Sequence, residues 1–586
     1  MNGVEPYPGV ASRPAAAPSA VPSDVQWDVL PAWQSLLLGP GGLRLGEWIA
    51  TGQAQVVKHG ARRTVYRVDL AERTIFLKHY RCRELWDMGR HLFRASASRR
   101  EYRKAVELAR RSVPTIRPIA LGEAWRSGVV ADNFLITEGI PHAVSLQTYV
   151  AQWLPQFPLD EQRRLRWKLT RAMARICAAA HEAGVFHDDF HGGNVLVRVD
   201  TCSGCADDPA LPELFLVDLP GIRFSGPLNW SRSRQSLIML NSDWSEKVSL
   251  VERWRFWRAY LAQREGWKLA DPRRAAGEIA WLTRDYACRI QRGRAKRALH
   301  TNRDFYLLDK PHARGPAVAD LAPADLVRLL EEPERFRRDA ANHSANESGG
   351  SWTVRGELSV AGQAMPVAWQ RLPARPWWHA WSMRTGRSRA LWSWYVGHAL
   401  LERGIATPRP LAVRVPRSWD AGSPSYLATT WIDGAVDLES YARRLATADS
   451  TERLARSAQC ARSLGRLLGR MHAWRIAQRE LTARNLLVRE QPDSLEVWLA
   501  NVGSIRLRRR LTYREQVQNL ARLAASLARL ECLSKPNCRR FFAAYVRELR
   551  PAEIDVRRIW QDVLASQHAF QRSEVFPLPV WKRARS

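Results

Sequence analysis

The sequence predicts an α+β protein made of two copies of one domain, each opening on strands and closing on helices. Three observations carry this. A chain of 586 residues, 46% hydrophobic and 25% charged, can bury real cores and is long enough for two to four domains. Segments of it recur in order at a nearly fixed spacing. Within each copy, short alternating β-branched runs give way to long amphipathic ones.

The repeat is explicit in four places. Thr74–Arg81 corresponds to Pro366–Pro373, Thr115–Leu121 to Thr407–Val413, His181–Val197 to His472–Val488, and Leu216–Leu219 to Leu499–Val502. The offset is 292 at Lys78/Gln370 and at Pro118/Pro410, 291 at Asn194/Asn485 and 283 at Asp218/Asn501. It drops across Thr201–Pro209, a turn-rich insertion of the first copy. The expected organisation is a disordered leader at 1–26, a first domain at 45–310, a linker at 311–350 and a second domain at 351–575. The linker ends in the polar run Asn342–Gly350.

In chain order, Val65–Val68 and Thr74–Lys78 predict a hairpin around Ala71-Glu72. Residues 97–111 predict a helix. Arg163–Ala183 predicts a longer one, with Leu165, Leu169, Met173, Ile176 and Ala180 on one stripe and Gly184 as its stop. Val195–Val197 and Leu214–Val217 predict short strands around the insertion. Val251–Gln263 and Pro272–Arg297 predict two further helices.

The charge is strongly one-sided: 90 Lys+Arg against 58 Asp+Glu, a net +32. This points to an anionic partner, whether nucleic acid, membrane surface or phosphorylated glycolipid. Only ten of the basic residues are lysines. In a chain that writes arginine by default, a strand lysine such as Lys78 marks a position where arginine does not serve. No apolar run reaches 18 residues, so no membrane-spanning helix is expected. The Ala/Pro-rich N-terminus lacks the basic start and apolar core of a signal peptide, and a cytosolic chain is expected. Eight cysteines do not make a disulfide scaffold at this length, and Cys202-Ser-Gly-Cys205 lacks partners for a four-ligand zinc site. Most of the 26 tryptophans belong in cores; Trp377, Trp378, Trp381, Trp392 and Trp394 of the second copy are candidates for sugar stacking or a membrane interface.

The chemistry is concentrated in His187-Asp-Asp189-Phe-His-Gly-Gly-Asn194, followed by Leu216-Val-Asp218-Leu-Pro-Gly221. These resemble the H-x-D-x-x-x-x-N loop and the D-x-G metal loop of protein-kinase-like phosphotransferases, with Gly221 one place late. Three further features are similar to the bacterial lipopolysaccharide core kinases, which phosphorylate Kdo or heptose sugars. They are the Glu-containing helix leading to Thr115-Ile-Arg-Pro118, the Asp-Phe-His-Gly-Gly-Asn loop itself, and Arg253-Trp-Arg-Phe-Trp-Arg-Ala-Tyr260. The resemblance covers the first copy and, more weakly, the second.

It implies two tandem protein-kinase-like domains, each a small β-rich N-lobe and a larger helical C-lobe. It implies ATP and Mg2+ as cofactors and a sugar hydroxyl of an anionic glycolipid as acceptor, with peripheral contact at the inner membrane. Asp189 would accept the acceptor's proton, Lys78 would pair the nucleotide phosphates, and Asn194 and Asp218 would hold magnesium. Glu101 would hold Lys78. It is preferred to Glu107 because Ala105 and Leu108, at i+4 and i+7, share its inward face. Gly60 falls in the phosphate-covering loop, and Glu138 and Ile140 in the stretch that holds adenine.

The second copy carries Gln370, Ser393, Gln478, Glu480 and Asn501 in place of Lys78, Glu101, His187, Asp189 and Asp218, and keeps only Asn485 for Asn194. It is expected to be non-catalytic. Open alternatives are a protein kinase or small-molecule phosphotransferase of the same fold, and a tandem pseudokinase scaffold without turnover. A nucleic-acid partner is not expected, because no recognition motif accompanies the charge.

Overall fold

Two antiparallel sheets organise the protein, one in each half of the chain. The structure is a computed structural model. It describes residues 22–575 apart from 23, 61–62, 72, 82–94, 127, 200–210, 245–246, 266–267, 310–313, 332, 335–345, 349, 361–362, 374–387, 417–422, 493, 529–533 and 550–555. The chain falls into two units, Met1–Thr283 and Arg284–Ser586.

In the first unit, β1 (Val25–Val29), β2 (Ala54–His59), β3 (Arg63–Asp69), β4 (Thr74–Arg81), β5 (Pro118–Arg126) and β6 (Val129–Glu138) form one sheet in the order β1-β5-β6-β4-β3-β2. The predicted hairpin is β3–β4, in a register that sets Val65 opposite Lys78. On one face Tyr66, Val68, Ile75, Leu77, Phe134 and Ile136 bury against Trp33, Leu37, Leu45 and Trp48 from the segment before β2. Helix α1 (Ala97–Arg110) joins β4 to β5. Its N-cap Ser96 accepts from Arg99 N, and it buries Glu101, Ala105 and Leu108, the face expected from the spacing.

The helical part of this unit contains β7 (Ala143–Ser145), α2 (Leu159–Glu182), β8 (Val185–His187), β9 (Val195–Arg198), β10 (Leu214–Leu216), β11 (Ile222–Phe224), α3 (Trp230–Trp244), α4 (Leu250–Ala262) and α5 (Pro272–Ala295). Helix α2 buries the predicted stripe, and Gly184 ends it at φ +71°, where a Cβ would collide with the Ser225 carbonyl. Strand β8 pairs with β11, and β9 lies between β10 and β7. These ribbons clamp both ends of the two loops that carry the candidate chemistry.

The second unit repeats the plan. Strands β12 (Phe305–Asp309), β13 (Arg314–Val318), β14 (Asn346–Ser348), β15 (Ser351–Val360), β16 (Gln363–Leu372), β17 (Pro410–Arg414) and β18 (Ser425–Thr430) run in the order β12-β13-β17-β18-β16-β15-β14. Apart from β12 this is the order of the first sheet, with β13 in the place of β1. Lys78 lies opposite Leu135 and Gln370 opposite Leu427, so the offset of 292 holds across paired strands. Helices α6 (Pro323–Glu331), α7 (Arg389–Leu401) and α8 (Ser450–Ala473), strands β19 (Ile476–Gln478), β20 (Leu486–Glu490), β21 (Leu495–Leu499) and β22 (Ile505–Leu507), and helices α9 (Tyr513–Ala528), α10 (Lys535–Leu549) and α11 (Val556–Val575) complete it.

The expected boundaries need correction at three points. The leader does not extend to 26: β1 begins at Val25 and pairs with β5, while residues 1–21 lie outside the described residues. The first unit ends inside α5, not at 310, because β12 and β13 belong to the second sheet. For the same reason 311–350 is not a plain linker; it supplies β13, α6 and β14. Cys202, Cys205, Trp377, Trp378 and Trp381 lie outside the described residues. Strands β5 and β6 and helix α3 had no sequence assignment. No helix among the described residues is long and apolar enough to cross a membrane.

Each helical half also repeats a buried His–Tyr pair. His181 Nδ1 lies 2.9 Å from Tyr260 OH, and His472 Nδ1 lies 2.8 Å from Tyr545 OH. Burial pushes His181 down to about 3 and His472 to about 4, from an ordinary 6.5. Both imidazoles are therefore neutral when folded, and the unfolded chain takes up their protons as pH falls below about 6.5. Their contribution to stability is present above that pH and is lost on acidification. The unfolding midpoint is expected to fall between pH 7 and pH 5, and the double variant His181→Gln/His472→Gln to flatten that slope, measured by thermal denaturation.

Candidate active site

The site is built where the first sheet faces the loops between β8 and β11. Side chains alternate along a strand, so Lys78 and Tyr80 of β4 point to the same face, together with Arg63 and Val65 opposite them on β3. Glu101 of α1 comes down on that face. Its carboxylate, 1% exposed, takes Lys78 Nζ on Oε1 at 2.5 Å and the Tyr80 hydroxyl on Oε2 at 2.5 Å. Burial, followed by the charge of Glu101, raises the pKa of Tyr80 and keeps it a hydrogen-bond donor. Glu107, the rejected alternative, is turned away and pairs with Arg111 at 2.7 Å.

From the opposite side come the two loops. Asn194 is buried; its Nδ2 donates to Asp189 O at 2.9 Å, and its own carbonyl accepts from Val217 N at 3.0 Å. The side-chain amide thus pins the backbone of Asp189, and the backbone carbonyl that of the residue before Asp218. His187 is buried beneath the loop. Its Nδ1 accepts from Asp189 N at 3.1 Å, and its Nε2 lies 3.4 Å from Val217 O. Burial lowers its pKa, which keeps the ring neutral in that bridging tautomer. The Asp189 carboxylate, by contrast, is 73% exposed.

Asp218 adopts a left-handed backbone conformation, φ 57° and ψ 61°, and its carboxylate is half-exposed. Arg63 Nη1 reaches it at 3.8 Å, and the Arg63 guanidinium lies 5.9 Å from the centre of the Tyr80 ring. Contacts therefore link Lys78, Glu101, Tyr80, Arg63 and Asp218 in series, while Asn194 binds the Asp189 loop to the same strand end.

The remaining expected positions are peripheral. Gly60 ends β2, its N–H on Arg63 O at 2.9 Å. Glu138 and Gly139 spend their N–H groups on Arg117 O and Thr74 O, at 2.9 and 2.8 Å, which leaves Ile140 as the remaining N–H of that stretch. The Glu138 side chain turns to Arg117, 3.5 Å away.

Three residues escaped sequence reasoning: Tyr80, Arg63 and His191. His191 Nδ1 accepts from Gly193 N at 3.0 Å, so Nε2 carries the proton, and it lies 3.5 Å from Asp189 Oδ2. The available signal for the first two was the hairpin register, which pairs Arg63 with Tyr80 next to Lys78.

The same positions in the second unit keep the loop and, apart from Glu480, lose the charges. Asn485 Nδ2 donates to Glu480 O at 2.6 Å, as Asn194 does to Asp189. Asn501 Nδ2 lies 3.5 Å from Glu480 Oε2, Gln478 Nε2 donates to Asn501 O at 3.0 Å, and Asn501 has φ −93°.

Removing one partner of a buried ion pair leaves the other charge uncompensated. Lys78→Met is expected to destabilise the protein by about 3 kcal/mol, and Lys78→Met/Glu101→Gln to recover most of that loss in a denaturant-unfolding double-mutant cycle.

The sequence profile of the lipopolysaccharide kinase (Kdo/WaaP) family matches residues 47–220 and again 344–545. The lipopolysaccharide core heptose(I) kinase WaaP of Escherichia coli is 25% identical over 224 residues, 37% of this chain and 81% of that protein. The one from Pseudomonas aeruginosa is 26% identical over 238 residues, 40% of this chain and 85% of that protein. A solved structure, WaaP in complex with acyl carrier protein, aligns with 45% of this chain and 99% of that chain at 20% identity and a TM-score of 0.33. Matched once in each unit, the chain belongs to the lipopolysaccharide kinase (Kdo/WaaP) family, and it is a phosphotransferase.

Proposed function

We propose that the protein is an ATP-dependent kinase that phosphorylates a sugar hydroxyl of an anionic, inner-core-type lipopolysaccharide glycolipid at the cytoplasmic face of the inner membrane. The first copy catalyses; the second does not. The observation that carries this is the set of contacts joining Lys78, Glu101 and Asp218 beside the Asp189–Asn194 loop.

Phosphoryl transfer asks the protein for positioning and charge neutralisation, with little covalent chemistry. Lys78, fixed on Glu101, presents a cation to the nucleotide phosphates. Asp189, exposed and held by its backbone, orients the acceptor hydroxyl and accepts its proton. The donor set suits a hard cation. Asn194 commits its Nδ2 to Asp189 O and keeps its amide oxygen as an acceptor, and Asp218 offers a half-exposed carboxylate. No cluster of three His, Cys, Asp or Glu gathers among the described residues, and magnesium bound partly through phosphates requires only one or two protein oxygens. Asn194 and Asp218 would hold it, and when bound it supplies charge neutralisation at the phosphates.

The net charge of +32 suits an acceptor rich in phosphate and carboxylate. A non-catalytic second copy is supported by Gln370 and Asn501, which remove a cation and a metal-binding anion, and by the amide Asn501 directed at Glu480.

The test is a mass measurement on lipopolysaccharide inner-core glycolipid incubated with ATP and the full-length protein. One added phosphate is expected, with Asp189→Ala slowing it about 10²–10⁴-fold and Glu480→Ala leaving it unchanged. Wild-type protein that transfers no phosphate to such acceptors would sink the reading, and transfer to a protein acceptor alone would replace it with the protein-kinase alternative.

A further inference from the structure

Two of the five side chains linked through the first copy's cleft have no part in the reading above: Tyr80 and Arg63. Arg63 opens β3 directly after the Gly60 turn, on the same sheet face as Lys78. Its side chain is 25% exposed and its guanidinium lies over the Tyr80 ring, whose hydroxyl is committed to Glu101. It approaches Asp218 at 3.8 Å, an ion-pair distance rather than a close hydrogen bond, and no other carboxylate pairs with it among the described residues. This is a held cation whose donors are not used up.

The second unit supplies an internal control. Tyr80 lies two residues after Lys78 and opposite Arg63; Leu372 lies two residues after Gln370, and the register of Trp352 with Arg371 sets it beside Ser351. Ser351 thus stands for Arg63 and Leu372 for Tyr80. The duplicate builds the same sheet without either, so the fold does not require them. They disappear together with Lys78, Glu101 and Asp218, the residues of the phosphate and metal machinery.

Charge balance then selects a role. Arg63 and Lys78 are matched by Glu101 and Asp218. Once a divalent cation takes the Asp218 carboxylate, Arg63 is left in a half-buried place without its anion, and an uncompensated cation there is costly. Phosphate oxygens restore the balance, and a guanidinium is the group best shaped to take two of them.

We infer that Arg63 is a ligand of the nucleotide phosphates, a second fixed cation beside Lys78, held in place by Tyr80 and handed from Asp218 to the phosphates on binding. This rests on the kinase reading. Its test is binding, not turnover. Calorimetric titration of the full-length protein with ATP, ADP and adenosine in magnesium buffer compares wild type, Arg63→Ala and Arg63→Lys, with thermal denaturation reporting folding.

The expected result is a loss of about 10–100-fold for ATP and ADP in Arg63→Ala, from one charge-assisted contact. Adenosine affinity should not change, and Arg63→Lys should recover part of the loss. ATP affinity in Arg63→Ala equal to wild type overturns the assignment, and so does an equal loss for adenosine, which would mark a merely structural role. ATP affinity kept while the KM for the glycolipid rises would overturn it in favour of an acceptor phosphate. Wild-type protein that binds no nucleotide at all would remove the kinase reading itself, an outcome distinct from the others.

Discussion

A carboxylate with 1% of its surface in water needs donors on both of its oxygens, and Glu101 is met by Lys78 and Tyr80. That requirement fixes where α1 sits. The same helix is tied to the sheet by Arg99 on Glu123 at 2.5 Å and by Ser98 N on Asn133 at 3.0 Å. It is tied to the loops by Lys104 on Pro220 O at 2.6 Å and by Arg111 on the Ala183 and Ser225 carbonyls. Helix α1 is therefore a strut between the sheet and the Asp218 loop, and the buried ion pair sets its rotation. Lys78 and the Asp218 loop are positioned by one element.

The duplicate separates what folding needs from what this site needs. Ser393 replaces Glu101, and α7 is docked instead by apolar side chains, with Trp394, Val396, Ala399 and Leu400 fully buried. Apolar packing is an adequate substitute for a buried ion pair in stability, which makes the retention of Lys78 and Glu101 in the first copy hard to explain by stability alone. What both units keep is framework: the sheet order, the Asn-to-carbonyl clamp and the buried His–Tyr pair. At this position the cost of charge burial is borne in the first copy and not in the second.

Much of this was legible from local pattern. The stripe on α2, the hairpin around Lys78 and the choice of Glu101 over Glu107 each follow from a periodicity read within a few residues. Non-local pairing was not legible. Strand β1 pairs with β5, and β13 with β17, across most of a lobe, so composition assigned the first to a leader and the second to a linker. The polar run at 342–350 dominated a segment whose hydrophobic residues bury at its other end, at Ala317, Val318, Leu321 and Leu326. Arg63 and Tyr80 stayed hidden for a related reason. An arginine among 80 carries no signal until the register sets it beside Tyr80 and the chain brings Asp218 back to it.

The backbone at Asp218 also differs between the two copies. Asp218 is left-handed and Asn501 is not, yet asparagine tolerates that region at least as well as aspartate. Residue preference therefore cannot account for the difference; the surroundings must. Val217 and its counterpart Ala500 are held alike, each N–H on the Asn194 or Asn485 carbonyl at 3.0 Å, but in the first copy His187 lies on the Val217 carbonyl and Arg63 reaches the Asp218 carboxylate. In the second, Gln478 takes the carbonyl of Asn501 itself, and no arginine stands at Ser351 to draw its side chain. The left-handed conformation thus goes with the His187 and Arg63 contacts around it. Where those contacts are replaced the residue leaves the left-handed region, at φ −93° and ψ 86°, the behaviour expected of local strain that persists only where its surroundings over-determine it.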